Sequence, residues 1–278
     1  MQTSAKRVWK KDKVNIKQFF DMEGQVVGIT GGGGYLGSAM AMGLSSAGAD
    51  VFICGRNKKK IKFVANEARK RGYKGQIFYQ SLDVTDTVKL EKFMQFILEK
   101  RKFLSGWVNN ACSVISERQG QMTQDGVNTS LDLCLTQMML GTQAAAEKMI
   151  STSGGSIINV SSMYGMVSPQ PQLYDNYSQF HNPPVYGAAK AGIIQYTRYA
   201  ACHLAKNNIR VNCISPGPFP KKTVQEETGF IQELEKRVPL NRIGEPIDLV
   251  GPVIFLLSQA SAYITGHNLT VDGGWTAW

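Results

Sequence analysis

The sequence has few cysteines, and their number does not suit pairing. Among 278 residues there are five: Cys54, Cys112, Cys134, Cys202 and Cys213. They are widely spaced and lie in apolar stretches. Secreted disulfide scaffolds have dense and usually even sets of cysteines, so this pattern is typical of free thiols in a reducing compartment. We therefore expect a cytoplasmic protein.

Long hydrophobic runs and metal-ligand clusters are also missing. The most apolar late stretch, residues 249–257, is far shorter than the roughly 18 residues that a membrane helix needs. No apolar segment of the kind that a secretion signal requires follows the basic N-terminus. The three histidines, His181, His203 and His267, do not have the spacing of metal ligands. We expect neither a membrane partner nor a bound metal.

Acidic residues are scarce relative to basic ones, 21 against 31, which gives a formal net charge of +10. The excess lies in two segments, because residues 1–20 carry +5 and residues 56–74 carry +8. A nucleic-acid groove would more often spread its basic residues over several elements with aromatic residues between them, so we expect no nucleic-acid partner. We interpret residues 1–20 as a basic N-terminal extension of one domain at 21–278.

Short apolar segments alternate with helical segments along most of the chain. The seven predicted strands lie at about 25–30, 50–54, 76–80, 106–109, 156–160, 209–214 and 268–271. Such alternation predicts a parallel sheet covered on both faces. The expected fold class is α/β, with a single Rossmann-like, doubly wound, seven-stranded parallel sheet and helices on both faces. In such sheets, ligands bind at the carboxyl ends of the strands.

A glycine-rich turn follows the first predicted strand. Residues 30–37, TGGGGYLG, contain Gly32-x-Gly34-x-x-Gly37 where the first long helix begins. Glycines allow the backbone to approach a pyrophosphate, and the N–H groups of the helix N-terminus can bind it. Because this motif alone is weak evidence, a glycine-rich turn without a ligand remains the alternative.

The end of the second predicted strand lacks the acidic residue that usually binds the ribose of NAD. In its place is Arg56, followed by Lys58 and Lys59. These cations can bind a 2′-phosphate, which favours NADP(H), with NAD(H) possible. Alternatively, Arg56 only begins a solvated basic helix.

A tyrosine and a lysine are spaced four residues apart in the segment YGAAK. Tyr186 and Lys190 begin a predicted helix, so this spacing places both on one face. A phenol titrates at about pH 10, and a neighbouring ammonium lowers that pKa, so Tyr186 can act as an acid or base near neutral pH. Ser162, at the end of a predicted strand, can hydrogen-bond a substrate carbonyl. A tyrosine–lysine pair with this spacing also arises by chance, so the assignment depends on the other motifs of the sequence.

Taken together, the motifs resemble the short-chain dehydrogenase/reductase family over about residues 22–278. The matching segments are TGGGGYLG at 30–37, Asp83-Val84, Asn109-Asn110-Ala111-Cys112, Ser162, Tyr186, Lys190, Pro216-Gly217 and Val271-Asp272-Gly273-Gly274. The resemblance implies three catalytic residues. Tyr186 would be the general acid/base, Lys190 would bind the nicotinamide ribose and lower the tyrosine pKa, and Ser162 would orient the reacting carbonyl.

The resemblance also implies a cofactor site and an assembly. The residues expected to bind the cofactor are Gly31, Gly33, Gly34, Tyr35, Leu36, Arg56, Asp83, Val84, Asn109, Asn110, Ala111, Tyr186, Lys190, Pro216 and Gly217. A substrate lid is expected at about 216–238. A homo-oligomer, tetramer or dimer, would form through the helices near 123–150 and 186–206.

The sequence departs from the family pattern at three single positions. Cys112 replaces the glycine of NNAG, a change expected to alter packing only, and Tyr35 replaces the middle glycine of the phosphate-binding turn. Cys134 stands where the family usually has an asparagine that anchors a water-mediated proton relay to the lysine. A thiol is a weak donor, so either another group completes the relay or turnover is slow.

The segment between Ser162 and Tyr186 is longer than the family usually has. Its inserted loop, residues 168–184, mixes aromatic residues with Gln, Asn and His. Long loops are often functional, so we expect this one to project over the active-site mouth and to favour a hydroxylated, sugar-like substrate. An oligomer contact or a disordered loop are the alternatives.

The sequence therefore predicts an NADP(H)-dependent oxidoreductase. It would transfer a hydride between nicotinamide and a carbonyl or secondary alcohol of a small, polar, sugar-like molecule. Two alternatives from other classes remain at this point. One is an NADP-dependent lyase or epimerase with transient redox, and the other is a cofactor-binding regulator without catalysis.

Overall fold

The structure is a computed structural model that describes residues 15–152 and 154–278. The strands are β1 Val26–Thr30, β2 Asp50–Gly55, β3 Ile77–Ser81, β4 Gly106–Asn109, β5 Gly155–Val160, β6 Ile209–Pro216 and β7 Asn268–Val271. The α-helices in the described ranges are α1 Ile16–Phe19, α2 Tyr35–Ser46, α3 Lys58–Lys70, α4 Thr87–Arg101, α5 Gln124–Leu131, α6 Gln137–Ile150, α7 Pro184–Leu204, α8 Lys222–Gln225, α9 Thr228–Glu235 and α10 Val250–Leu257.

The strands form a single seven-stranded sheet in the order β3-β2-β1-β4-β5-β6-β7. Every pair of neighbouring strands is parallel. The order reverses between β1 and β4, which leaves a crevice outside the carboxyl ends of these two strands. The predicted α/β class and the seven-stranded, doubly wound sheet are confirmed.

Both faces of the sheet are buried, as the apolar strands require. On one face, Val27 and Ile29 pack in a cluster with Leu44 of α2. On the other face, Val26 packs in a cluster with Phe93 of α4. Each fully buried apolar side chain of this size contributes about 1.5–3 kcal/mol. This two-sided core fixes the positions from which the loops at the carboxyl edge begin.

Several helices differ from the sequence-based expectation in their bounds or continuity. The long helix expected to end near Ile150 is divided, because a π-helical segment, Asp132–Thr136, joins α5 to α6. The helix expected at 187–206 begins at Pro184 instead, where a proline at the first position suits a helix N-terminus. The lid region also contains two short helices, α8 and α9, that sequence reasoning did not predict.

The basic extension predicted at residues 1–20 falls mostly outside the described residues, which begin at residue 15. In its described part, Phe20 contacts Phe255 of α10, with ring centroids 6.4 Å apart. Across residues 15–152 and 154–278, no helix is both long and apolar enough to span a membrane. In the same ranges, no group of three or more His, Cys, Asp or Glu residues could hold a metal ion.

Candidate active site

A cavity of about 690 Å³ opens at the carboxyl ends of the strands. The loops that follow the first six strands, β1 to β6, contribute to its wall. The sequence-predicted site residues that line it are Gly31, Gly33, Gly34, Tyr35, Leu36, Arg56, Asp83, Val84, Asn110, Ala111, Ser162, Tyr186, Lys190, Pro216 and Gly217. The fold thus brings together residues that lie up to 186 positions apart in the chain.

Hydrogen bonds connect the glycine turn to the two residues that follow β4, Asn110 and Ala111. Asn110 donates its side-chain N–H to the carbonyl oxygens of Thr30 and Gly31, at 3.0 and 3.2 Å. In return, the Thr30 hydroxyl accepts from the backbone N–H groups of Asn110 and Ala111, at 2.9 and 3.0 Å. A Cβ on Gly37 would meet the Gly31 carbonyl oxygen, so only glycine allows this close approach of helix and turn. The turn is therefore held in one conformation, and its backbone N–H groups could bind a pyrophosphate.

Tyr35, which replaces the middle glycine of the family's turn, connects the turn to the lid. Its hydroxyl accepts a hydrogen bond from Gln225 of α8 at 3.0 Å. The same Gln225 amide also donates to the Pro220 carbonyl at 2.8 Å. Tyr35 consequently connects the start of α2 to α8, which follows the cavity-lining Lys221. Sequence reasoning did not single out Gln225, because its partner lies 190 positions away.

Asn109 is the predicted cofactor-binding residue that does not line the cavity. It is buried, and its side chain accepts from the Trp107 indole at 2.7 Å. It also donates to Thr142 and Asn159, each at 2.9 Å. Its polar groups are thus engaged in a network behind the cavity wall, where they support the Asn110 turn rather than contact a ligand.

The charge of the cavity is predominantly positive. Its lining contains four cationic side chains, Arg56, Lys60, Lys190 and Lys221, and one acidic side chain, Asp83. Lys58 and Lys59, expected to accompany Arg56, do not line the cavity, whereas Lys60 does. The reason is helical geometry, since α3 begins at Lys58 and turns these two side chains away.

Asp83 is held in its charged form at the end of the cavity that is nearest to β3. Its carboxylate accepts from the Thr85 backbone N–H at 3.1 Å and from the Thr85 hydroxyl at 2.9 Å. These bonds, together with the charge of Arg56, hold the pKa of Asp83 below its ordinary value. A carboxylate is an acceptor for a hydroxyl or amine, whereas Arg56 on the neighbouring loop suits an anion.

Ser162, Tyr186 and Lys190 meet where β5 and α7 approach each other. The Lys190 ammonium is 3% exposed, donates to the Val160 carbonyl at 2.8 Å and lies 5.5 Å from the centre of the Tyr186 ring. Ser162, 6% exposed, begins the turn after β5, and its hydroxyl accepts from the Tyr164 N–H at 3.1 Å. The expected proximity of the phenol and the ammonium is present in the structure.

The pKa of Tyr186 moves in the opposite direction from the sequence-based expectation. Burial raises this pKa above its ordinary value, and the Lys190 charge and a hydrogen bond with Ser162 oppose that rise without cancelling it. Sequence reasoning considered the cation but not the desolvation of the phenolate, which the fold imposes. Tyr186 therefore keeps its proton at neutral pH, which suits a group that donates a proton to a carbonyl oxygen.

This pKa predicts opposite pH dependences for the two directions of reaction. If Tyr186 is the general acid/base, as the family resemblance implies, alcohol oxidation needs its phenolate, and kcat/KM for oxidation should rise about tenfold per pH unit from about pH 6 to about pH 9. On the same assignment, carbonyl reduction needs the phenol and should not lose activity over that range. Steady-state rates in both directions, followed at the absorbance of the reduced nicotinamide, give kcat/KM as a function of pH. An oxidation rate that is independent of pH would contradict it.

The structure also shows what surrounds the unusual Cys134. It lies in the π-helical segment, and its sulfur is 2.7 Å from that of Cys112. Next to it, Gln137 donates to the Ala111 carbonyl at 2.5 Å, while its amide oxygen is buried and has no hydrogen-bond partner in the described ranges. Gln137 was missed by sequence reasoning, and no motif marks it. Gln137 directly follows the π-helical segment and places a side-chain amide near Cys134, where the family usually has an asparagine.

The inserted loop does not act as expected, because residues 168–184 contribute nothing to the cavity lining. The loop contains two 3₁₀ turns, and three of its aromatic residues, Tyr174, Tyr177 and Phe180, surround Phe230 of α9 with ring centroids 4.8–6.1 Å apart. Its aromatic side chains therefore pack against α9, within the region where the lid was expected. The loop also helps to line a second cavity, of about 970 Å³.

Comparison with known proteins identifies the family of this chain. A family model described as enoyl-(acyl carrier protein) reductase matches residues 34–276. A short-chain type dehydrogenase/reductase from Mycobacterium marinum superposes with a TM-score of 0.84 at 28% identity, over 95% of this chain and 100% of that one. The chain belongs to the short-chain dehydrogenase/reductase family. As a member, it is an oxidoreductase that acts on alcohol or ketone groups with a nicotinamide cofactor.

Within this family, similar proteins include enzymes of sugars and sugar acids. The chain is 31% identical to a D-arabinitol 2-dehydrogenase (ribulose-forming) from Candida tropicalis, over 97% of this chain and 98% of the relative. It is 30% identical to the 2-dehydro-3-deoxy-D-gluconate 5-dehydrogenase of Escherichia coli, over 93% and 98%. The structure of a gluconate 5-dehydrogenase from Burkholderia cenocepacia, in complex with NADP and tartrate, matches with a TM-score of 0.84 at 26% identity, over 95% and 100%.

Proposed function

We propose that this protein is an NADP(H)-dependent oxidoreductase that reduces a carbonyl group of a small, polar, sugar-like molecule and can oxidise the corresponding alcohol. The observation that carries the proposal is the meeting of Ser162, Tyr186 and Lys190 at the wall of a cation-lined cavity. The raised pKa of Tyr186 keeps this side chain protonated at neutral pH, the form that can donate a proton to a carbonyl oxygen.

The cofactor preference rests on Arg56. This exposed side chain lines the cavity on the loop between β2 and α3, where a ribose 2′-phosphate would lie. Lys60 lines the same cavity, and the N-terminus of α3 faces this region with its positive dipole. The two cations can stabilise the negative charge of a 2′-phosphate, a group that NADH lacks. The NADP complex of the Burkholderia enzyme supports this choice.

In this proposal, the three catalytic residues have different tasks. The nicotinamide supplies or accepts the hydride when bound. Ser162 donates a hydrogen bond to the carbonyl oxygen, and Tyr186 gives that oxygen its proton. Lys190 binds the nicotinamide ribose and stabilises the phenolate that Tyr186 leaves behind. The glycine turn, the Asn110–Ala111 segment and the Pro216–Gly217 turn hold the cofactor, which orients it for the transfer.

A sugar-like substrate is supported by the relatives rather than by the inserted loop. The names of the Candida, Escherichia and Burkholderia enzymes all refer to polyols or sugar acids. On this chain, Lys221 of the lid lines the cavity and can pair with a carboxylate of an acidic substrate. We therefore propose keto-sugar acids as the first substrates to test.

A substrate screen tests the proposal. Purified protein is incubated with NADPH and a set of keto-sugars and keto-sugar acids, and with NADP⁺ and the matching polyols and hydroxy acids. We expect absorbance of the reduced nicotinamide to fall in the first set and to rise in the second. Substrate conversion without a net absorbance change would instead indicate an epimerase or lyase that uses the cofactor transiently, and would overturn the proposal.

We also propose a homo-oligomer, a cytoplasmic location and the domain bounds 21–278. Four large apolar side chains on α6 and α7 are exposed, Met139, Leu140, Ile150 and Tyr199, and exposed apolar surface of this kind is typical of a subunit interface. Cys112 and Cys202 are exposed free thiols, which suit a reducing compartment. Analytical ultracentrifugation measures the oligomeric state, and a monomeric protein would exclude the proposed homo-oligomer.

A further inference from the structure

Two cysteines that are 22 positions apart in the chain meet at the wall of the active-site cavity. Cys112 follows the Asn110–Ala111 turn and lines the cavity, and Cys134 is buried in the π-helical segment behind it. Their sulfur atoms lie 2.7 Å apart, so a disulfide of about 2.05 Å requires a closing movement of roughly 0.7 Å. Both are free thiols in this structure.

The environment of the pair assigns different chemical tasks to the two thiols. A hydrogen bond from Cys134 and the nearby Lys190 ammonium lower the pKa of Cys112, which therefore has thiolate character at neutral pH. The bond to Cys112 and burial raise the pKa of Cys134, which stays a thiol. Cys112 is thus an exposed nucleophile with a second thiol poised next to it.

The remaining buried cysteines lack this environment. Burial raises the pKa of Cys54 and of Cys213 to about 12, and both are fully covered. Cys202 is exposed on α7 but has no cysteine partner in the described ranges. Neither a buried neutral thiol nor an isolated surface thiol can form an intramolecular disulfide by the same route.

We propose that Cys112 and Cys134 are a redox modification site, at which hydrogen peroxide forms a reversible disulfide that switches the enzyme off. The Cys112 thiolate attacks one oxygen of the peroxide and becomes a sulfenic acid, while the O–O bond breaks and hydroxide leaves. The Cys134 thiol then attacks the Cys112 sulfur, the S–S bond forms, and the hydroxyl leaves as water with the Cys134 proton. Overall, two thiols lose two hydrogens and one peroxide becomes two waters.

The disulfide acts on two parts of the site. Cys112 is covalently bonded to Ala111, whose N–H donates to the Thr30 hydroxyl at the glycine turn. Movement of Cys112 towards the π-helical segment therefore displaces the Asn110–Ala111 turn, which lines the proposed cofactor site. Disulfide formation also removes a negative charge near Lys190. Burial lowers the pKa of Lys190, whereas the charges of Cys112, Tyr186, Cys134 and Cys213 together raise it above its ordinary value. The oxidised site loses the contribution of Cys112.

Mass spectrometry of the oxidised protein tests the modification independently of activity. The wild type is treated with a small excess of hydrogen peroxide, and free thiols are then alkylated and the protein digested. We expect a cross-linked peptide containing Cys112 and Cys134, two hydrogens lighter than the reduced peptides, that disappears with dithiothreitol. If Cys112 remains alkylatable, or accumulates as a sulfinic acid without the cross-link, the proposal is wrong.

The loss of activity rests on the proposed function and is measured separately. A displacement of this size at the cofactor site should lower kcat about 10- to 100-fold, and dithiothreitol should restore it. Cys202→Ser is the matched control, and it should show the same loss and recovery as the wild type. Cys134→Ser should gain oxygen at Cys112 without forming the cross-link. A cross-link with unchanged activity would overturn the switch, whereas inactivity of the fully reduced enzyme would overturn the proposed function instead.

Discussion

Replacing Tyr186 by phenylalanine should lower kcat by about 10²- to 10⁴-fold, the usual contribution of a positioned general acid, while NADPH still binds. The substitution removes one hydroxyl from a half-buried side chain and leaves the ring over the Lys190 ammonium, 5.5 Å away. Ser162 can still hold the carbonyl oxygen, but no group in the described part of the cavity replaces the donated proton at the same position. The effect should therefore fall on turnover and not on cofactor affinity.

Steady-state rates and a fluorescence titration with NADPH measure these two quantities. Tyr263→Phe is the matched control, because Tyr263 is fully exposed and lies outside the cavity. It should behave like the wild type in both assays. If Tyr186→Phe keeps full turnover, the proton donor is another group. If the wild type shows no turnover and Tyr186→Phe binds NADPH as the wild type does, a regulatory role without catalysis gains support.

Replacing Arg56 by alanine should weaken NADPH binding about 10- to 100-fold and leave NADH binding unchanged, because only NADPH has the 2′-phosphate that a charged hydrogen bond would hold. Arg56 is exposed at the cavity edge, so its loss should leave the core intact. The Arg56→Ala and Lys60→Ala double variant should lose more of the preference, because both side chains line the same part of the cavity.

Titrations of both cofactors against the wild type and the variants test this assignment. Lys70→Ala is the matched control, since this lysine lies at the far end of α3 and does not line the cavity. Its cofactor preference should equal that of the wild type. Tighter binding of NADH than of NADPH by the wild type, or an unchanged preference in Arg56→Ala, would exclude the 2′-phosphate assignment.

Local sequence patterns were sufficient for the fold class and for most of the candidate site. Apolar, β-branched segments alternating with helices can bury both faces of a strand only in a parallel sheet with helices on each side. The glycine turn, the Asn110 turn and the Tyr186–Lys190 pair are defined by short spacings, and parallel strands carry all of them to the same edge. For this reason, those positions could be assigned before the structure was known.

Properties that depend on distant contacts could not be assigned in this way. The direction of the Tyr186 pKa, the orientation of Asn109 and the choice of Lys60 over Lys58 and Lys59 all depend on which side chains the fold buries. The inserted loop was placed over the mouth of the site because of its composition. Its aromatic residues instead pack around Phe230, whose position in α9 no local pattern reveals.

By itself, the sequence determined a doubly wound α/β sheet, a glycine-rich turn and a tyrosine–lysine pair at its edge, because each of these follows from spacing along the chain. Only the tertiary structure brought Cys112 against Cys134 and Gln225 against Tyr35. Contacts of this kind join segments that the chain keeps apart, and they form only when packing of the core has set the distances between them.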